Sequence, residues 1–110
     1  MTRCGIDFPQ SVDLIMRMNE VISLVLVQPR FLSEEDALAL QDKLNNYLGY
    51  IVNGSLHHDH PQSQGNPVSI RVDLQESAAD FIFEFLKLYA AAIEEYDIGF
   101  EIIDSGELLA

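Results

Sequence analysis

Apolar and polar residues alternate over residues 12–18 and 68–74, with the period of two that a half-buried β-strand shows. Residues 21–27 are apolar on both faces, which is typical of an interior strand. Because only Asn19 and Glu20 separate residues 12–18 from residues 21–27, these two strands are predicted to form a hairpin. Residues 100–103 predict a short last strand.

The first helix is predicted because the apolar residues after residue 36 recur with a period of 3.6 residues. Ser33 and Asp36 have the spacing of a capping box at its start, and Gly54 supplies a left-handed cap at its end. Residues 55–67 are rich in His, Asn, Gly and Pro and are predicted to be an exposed loop. The residues predicted to face the core are Ala37, Leu40, Leu44, Tyr47, Leu48 and Ile51.

The second helix is predicted to begin at Ser77 and Asp80, which repeat the capping spacing, and to end at Gly99. Phe83 is predicted to project from the polar side of this helix and to belong to a contact with a partner. The residues predicted to face the core are Phe81, Ile82, Phe85, Leu86, Leu88, Tyr89, Ala92, Ile93 and Tyr96.

The element order ββαβαβ predicts an α+β fold, a two-layer sandwich with a four-stranded sheet and two helices on one face. Residues 1–110 are predicted to form a single domain, in which residues 1–11 are an irregular N-terminal arm and residues 12–104 are the folded core. The other face of the sheet would then have no helix to cover it.

Several residues are predicted to lie on that uncovered face and to bind a partner. Among them Ile15 and Arg17 come from the first strand, Val25 from the second, Arg71 from the third and Ile103 from the last. Burial of this face, or of an exposed strand edge, predicts a homodimer. The remaining residues predicted for the face are Asp13, Val27, Ser69, Asp73 and Glu101.

The composition excludes several classes of function. The chain carries 18 acidic and 6 basic residues, a net charge of −12, yet 48% of its residues are hydrophobic, so it is predicted to fold with its carboxylates outside. That charge opposes binding to nucleic acid or to an anionic membrane. No stretch has the length of a membrane span or the features of a secretion signal, and Cys4 is the single cysteine, so a cytoplasmic protein is expected.

No catalytic constellation stands out in the sequence. His57, His58 and His60, with Asp59, have metal-binding chemistry, but neighbours in one loop rarely converge on a metal, so no metal and no other cofactor is expected. The chain has neither a G-x-S-x-G motif nor a glycine-rich phosphate loop. One enzymatic alternative remains open: Asp13, Asp73 and Glu101 assembled around Arg71 by the fold.

The segment 40–54, Leu-Gln-Asp-Lys-Leu-Asn-Asn-Tyr-Leu-Gly-Tyr-Ile-Val-Asn-Gly, resembles the central helix motif of a family of small uncharacterised bacterial proteins. Residues 12–14 and 68–72, together with Pro61 and Gly65, support the resemblance. The chain departs from the family pattern at Gly49 and at His60, where a Tyr is common. The resemblance implies a bacterial source and assigns no activity and no site residue.

The function expected from the sequence is a non-enzymatic acidic module that binds another protein, an adaptor or an inhibitor of the immunity type. A negative surface speeds the encounter with a basic partner. Two alternatives remain open. One is a small-molecule-binding protein or enzyme with an acidic site assembled by the fold, and the other is a DNA mimic that presents its carboxylates to a basic protein.

Overall fold

The computed structural model describes residues 5–7, 12–61 and 65–105. The predicted order ββαβαβ is confirmed, with one additional short helix. A 3-10 turn lies immediately before α1 and another immediately after α3. The strands are β1 (Leu14–Met18), β2 (Val21–Gln28), β3 (Val68–Leu74) and β4 (Ile98–Asp104), and the helices are α1 (Ala37–Val52), α2 (Ser55–Asp59) and α3 (Asp80–Ile93).

The strands form a mixed four-stranded sheet in the order β1-β2-β3-β4. β1 is antiparallel to β2, whereas β2, β3 and β4 run parallel to one another. The predicted hairpin is confirmed, since Asn19 and Glu20 have positive φ angles of 51° and 70°. Positive φ at both central residues is what a two-residue turn needs to match the twist of its strands.

The core lies between the sheet and the two long helices, which confirms the predicted α+β fold. The parallel connections place α1 between β2 and β3 and α3 between β3 and β4. Right-handed crossovers that advance in one direction across a sheet put their helices on the same face. Fully buried residues from both layers include Leu24, Leu26, Ile70 and Val72 of the sheet and Leu40, Leu44, Ile82 and Leu86 of the helices.

The predicted start of α1 is confirmed. The Asp36 carboxylate accepts a hydrogen bond from the backbone N–H of Ser33 at 2.8 Å, and the backbone N–H of Asp36 donates to the Ser33 carbonyl at 3.0 Å. These bonds satisfy groups that a helix start leaves without intrahelical partners. At the other end, Gly54 has the predicted left-handed conformation, with φ of 88°.

The predicted exposed loop after Gly54 is wrong in its first part. Ser55–Asp59 forms the short helix α2, and its Leu56 is fully buried in the core. A single apolar residue among polar ones gives no periodicity. The hydrophobic contact that anchors this segment therefore has no signal in the sequence pattern.

Ser77 does not cap α3, and that prediction is wrong. The residue before α3 is Ala79, whose backbone N–H donates to the Leu32 carbonyl at 2.8 Å. Ser77 instead donates its hydroxyl to the Asp104 carboxylate at 3.0 Å. A bridge between Leu32 and Ala78 holds this segment extended, so α3 begins at Asp80 rather than immediately after Ser77.

Candidate functional site

A buried ion pair joins α1 to the residue that precedes β1. The Lys43 amine lies 2.5 Å from Oδ1 of Asp13, and the two side chains are 0% and 1% exposed. The amine also donates to the Gly5 carbonyl at 2.7 Å. The other oxygen of Asp13 accepts the backbone N–H of Gly5 at 2.8 Å and that of Val27 at 2.9 Å. The pair thus reaches the N-terminal segment, β2 and α1 at once.

Tyr47, one turn after Lys43, completes what we call the Lys43 network. Its hydroxyl accepts the backbone N–H of Asp13 at 2.9 Å and donates to the Val25 carbonyl at 3.1 Å. Satisfied and closed to solvent, such polar groups rigidify a core. The geometry therefore assigns the Lys43 network to holding the fold together rather than to binding a ligand.

The described part of the predicted N-terminal arm, residues 5–7, forms no helix or strand but packs closely. Ile6 is a core residue, and its backbone N–H donates to Oε1 of Gln28 at 2.9 Å. The Gln28 side chain is itself fully buried and donates to the Arg30 carbonyl at 3.4 Å. Residues 5–7 are thus part of the folded unit.

Arg30 links this segment to the start of α1 at the surface. Its guanidinium contacts Asp7 at 3.3 Å and Asp36 at 3.1 Å. The hydrogen bonds that Arg30 donates to Asp36 and Asp7 raise the pKa of Arg30, and the bond that Asp36 accepts from Arg30 holds the pKa of the Asp36 carboxyl below its ordinary value. Because the Arg30 side chain is 46% exposed, water screens these pairs and their contribution to stability is small.

Three of the predicted partner-binding residues lie on the face of the sheet opposite the helices, which we call the open sheet face. Val25 pairs in register with Arg71, and Ile103 pairs with Asp73 on the same face. Val25 is only 3% exposed and Ile103 is partly buried, so this face presents less apolar surface than the sequence predicts.

Ile15 and Arg17 lie on the face that the helices cover, so their predicted position is wrong. Ile15 pairs with Leu24 and Arg17 with Ile22, and antiparallel partners point to the same side of a sheet. Ile15 packs against the core, and Arg17 is exposed. β1 has apolar residues on both faces, so its pattern does not decide the orientation. The orientation of β1 is decided by the burial of Asp13 under α1, next to Lys43.

Of the three acids predicted around Arg71, only Asp13 lies on the other face of the sheet, whereas Asp73 and Glu101 share the open sheet face with Arg71. Asp13 belongs to the Lys43 network on the opposite face. Asp73 accepts a hydrogen bond from the Ser105 hydroxyl at 3.3 Å. Glu101 alone among the three pairs in register with Arg71. The predicted cluster of three acids is therefore not assembled, because Asp13 lies apart from the other two.

Arg71 and Glu101 line a recess of about 200 Å³ near the β1–β2 turn, which we call the Arg71 recess. Nε of Arg71 is shielded from solvent and has no hydrogen-bond partner among the residues that the structure describes. The recess is lined by Met16, Asn19, Val21, Ser23, Arg71 and Glu101.

The outward sides of α1 and α3 carry exposed apolar residues, and we call them the outer helical surface. Leu38 of α1 is 75% exposed and Leu88 of α3 is 73% exposed. Phe81 and Tyr96 are also about half exposed. The prediction that Phe81, Leu88 and Tyr96 face the core is wrong because the buried side of α3 is narrower than the predicted arc. It consists of Ile82, Leu86 and Ile93.

Phe83 differs from these residues, because it was predicted to lie on the polar side of α3 and is found towards the core. It is partly buried and packs against the core, so its predicted place on the polar side of the helix is wrong. Leu38 lies outside the apolar arc predicted for α1, and this position is the sequence signal that marks it as an exposed leucine. For Leu88 no such signal exists, because the apolar arc of α3 is wide enough to include it.

The two helices contact each other through Tyr89 of α3 and Asn45 of α1, whose side chains are hydrogen-bonded at 3.1 Å. Burial raises the pKa of Tyr89 to about 12. Leu38 and Val52 lie seven residues before and after Asn45, on the same row of α1. The exposed apolar residues of α1 therefore follow the side of the helix that faces α3.

The histidine segment lies on and after α2. His57 and His58 are in the helix, and Asp59 accepts a hydrogen bond from the Tyr50 hydroxyl at 2.8 Å. Burial, together with Asp59, raises the pKa of Tyr50. Within residues 5–7, 12–61 and 65–105, no group of three or more His, Cys, Asp or Glu side chains is placed to hold a metal ion. Cys4 lies outside the described residues.

Comparison with known proteins identifies the family but no activity. The chain belongs to a family of unknown function, DUF6572, whose model matches residues 5–105. No curated protein and no solved structure matches the chain significantly. In the described part of the chain, none of the helices combines the length and the apolar character that crossing a bilayer requires.

Proposed function

We propose that this member of DUF6572 is a non-enzymatic protein-binding module whose outer helical surface receives a basic segment of a partner protein. The observation that carries the proposal is the exposure of Leu38 and Leu88, at 75% and 73%, on neighbouring helices. Leucines that remain exposed to water on two neighbouring helices are typical of a surface for another protein.

Charge favours a basic partner. Asp42 lies four residues after Leu38, and Glu84 lies four residues before Leu88, so each exposed leucine has a carboxylate beside it on its own helix face. Lys87 is the one exposed basic residue of α1 and α3, since Lys43 is buried. The net charge of −12 adds a long-range attraction for a cation-rich segment.

A basic amphipathic segment fits this chemistry best. Its apolar side would cover Leu38, Phe81 and Leu88 in the manner of a helix laid in a groove, and its Lys or Arg side chains would meet the carboxylates. The same surface would repel a second copy of this acidic chain. The proposal therefore commits to a different protein as the occupant, one that carries a basic amphipathic segment.

The test is affinity capture from a native lysate with the immobilised chain and with a Leu38→Ser/Leu88→Ser double variant. Both leucines are highly exposed, so the double variant should fold normally. The wild-type chain should retain a basic protein at low salt and lose it at high salt, because screening weakens the attraction between charges. The double variant should not retain that protein.

The matched control is Leu14→Ser, which removes a leucine that is 46% exposed but lies on β1, away from the helices. This variant should retain the same partner as the wild type. Equal retention of one protein by the wild type and the double variant would show that the outer helical surface is not the binding site. If DNA displaces the captured protein, the DNA-mimic alternative replaces the adaptor.

A further inference from the structure

Arg71 differs from Arg30 and Lys43 in having no acidic partner among the described residues. Arg30 has Asp7 and Asp36, and Lys43 has Asp13. Arg71 makes no hydrogen bond or ion pair with any described residue, although its Nε is closed to solvent. The chain has 18 acidic residues, yet those among the described residues supply no acceptor for this guanidinium.

A shielded donor without an acceptor costs free energy, so native structures rarely keep one without a reason. A guanidinium offers five N–H donors in a rigid planar fork, which binds a carboxylate or a phosphate through two parallel hydrogen bonds. No described residue supplies an acceptor for Nε of Arg71. The recess next to the side chain is where such an acceptor would lie.

The Arg71 recess is small and is lined by both apolar and polar residues. Its volume of about 200 Å³ is below the range of pockets that take drug-sized ligands. Met16 and Val21 provide apolar contact, whereas Ser23 and Asn19 provide hydrogen-bonding groups. The open side of the sheet leaves it accessible. A ligand of only a few heavy atoms, partly polar and partly apolar, fits these walls.

Glu101 decides the charge of the ligand. It lines the same recess and pairs in register with Arg71, yet forms no ion pair with it. A plain anion would bind Arg71 but would be repelled by Glu101 and by the negative field of the chain. A molecule with a carboxylate and an ammonium group satisfies both side chains and is neutral overall.

We infer that the Arg71 recess binds a free apolar α-amino acid, with its carboxylate on Arg71, its ammonium group towards Glu101 and its side chain against Met16 and Val21. This site is on the open sheet face and is independent of the outer helical surface. It gives the chain a small-molecule ligand in addition to the proposed protein partner.

The experiment is a titration followed by ¹H–¹⁵N correlation spectra, with L-valine, isobutyrate and isobutylamine as separate probes. Valine should give saturable shifts at the amides of Ser23, Arg71 and Glu101. Isobutyrate and isobutylamine each carry only one of the two charges, so each should bind at least about tenfold more weakly, the loss of one charge-assisted hydrogen bond. The spectrum also reports whether each variant is folded.

Two substitutions and one control locate the site. Arg71→Gln should abolish the valine shifts, and Glu101→Gln should weaken valine about tenfold while leaving isobutyrate no weaker than before. Arg17→Gln removes an exposed cation from the other face and should bind valine as the wild type does.

Three results would overturn the inference. The first is the absence of saturable valine shifts in folded wild-type protein. The second is isobutyrate binding as tightly as valine, which would make the recess a simple carboxylate site. The third is a set of Arg71 and Ser23 shifts that depend on protein concentration alone, which would mean that a second copy of the chain supplies the acceptor.

Discussion

Gly5 and Gly54 have the same backbone conformation but different surroundings. Both have φ of 88°, in the left-handed region that side chains with a Cβ rarely adopt. A Cβ at Gly5 would lie 2.7 Å from Oε1 of the buried Gln28, whereas a Cβ at Gly54 would meet nothing within 4 Å. The two positions therefore separate the cost of the conformation from the cost of the contact.

We expect Gly54→Ala to lower the free energy of unfolding by about 1 kcal/mol, the cost of left-handed backbone for alanine. Gly5→Ala should lower it by about 2–4 kcal/mol, because overpacking adds to the same conformational cost. Urea denaturation of the two variants measures both. Equal losses would mean that the segment 5–7 moves aside without cost and is not fixed by Gln28.

Single residues also mark the limit of what the sequence reveals. The turn at Asn19 and Glu20 and the cap at Gly54 were predictable, because local backbone chemistry decides them. The contact between Gly5 and Gln28 was not, since it joins two segments 23 positions apart that have no pattern in common. The lack of a hydrogen-bond partner for Nε of Arg71 among the described residues was not predictable either, because it depends on where the neighbouring side chains point.

At the scale of elements, the Lys43 network connects α1 to residues 5–7, β1 and β2. Its ion pair is buried, so the removal of one partner leaves the other charge without compensation in a low-dielectric interior. Lys43 also holds the Gly5 carbonyl. The attachment of the N-terminal segment should therefore depend on this one side chain.

We expect Lys43→Met to lower the free energy of unfolding by roughly 3–5 kcal/mol, the usual cost of breaking a buried pair. The matched control is Lys87→Met, which removes an exposed lysine from α3 and should change stability by less than about 0.5 kcal/mol. Chemical denaturation compares the two. A loss for Lys43→Met no larger than for the control would show that the pair contributes nothing beyond its packing.

Helices and strands were predicted correctly where their hydrophobic pattern was clear. The orientation of a strand was predicted wrongly where a buried polar contact determined it. The long helices and the strands β1 and β3 follow from their periodicity, and β2 follows from its continuous apolar run. The orientation of β1 does not, because burying the Asp13 carboxylate puts Ile15 in the core and leaves Leu14 exposed. A pattern of hydrophobic residues cannot foresee that a carboxylate will be buried next to a lysine on a distant helix.

At the scale of the whole molecule, the common face of the helices follows from the handedness of the connections, which is why the fold class was predictable. The order of the strands in the sheet was not predicted from the sequence. The binding surfaces were not predictable, because they depend on which apolar residues remain exposed once the core has formed. Leu38 and Leu88 are such residues on the helices, and Leu14 is one on the sheet.

The sheet also has two ends that no strand covers, at β1 and at β4, in the order that the described strands form. Leu14 of β1 is 46% exposed and lies beside Val25 on the open sheet face. We propose that two copies of the chain associate there about a two-fold axis, because an isologous contact of this kind would cover both the strand edge and Leu14.

Light scattering at tens of micromolar protein should give twice the mass of one chain. Leu14→Glu should return the mass to that of one chain, since it places like charges opposite each other across the two-fold axis. Leu38→Glu, a charge of the same sign on an equally accessible leucine of α1, should leave the dimer intact, because the outer helical surface lies on the far side of the sheet. A single-chain mass for the wild type, or dissociation by Leu38→Glu instead of Leu14→Glu, would exclude the sheet edge as the site of self-association.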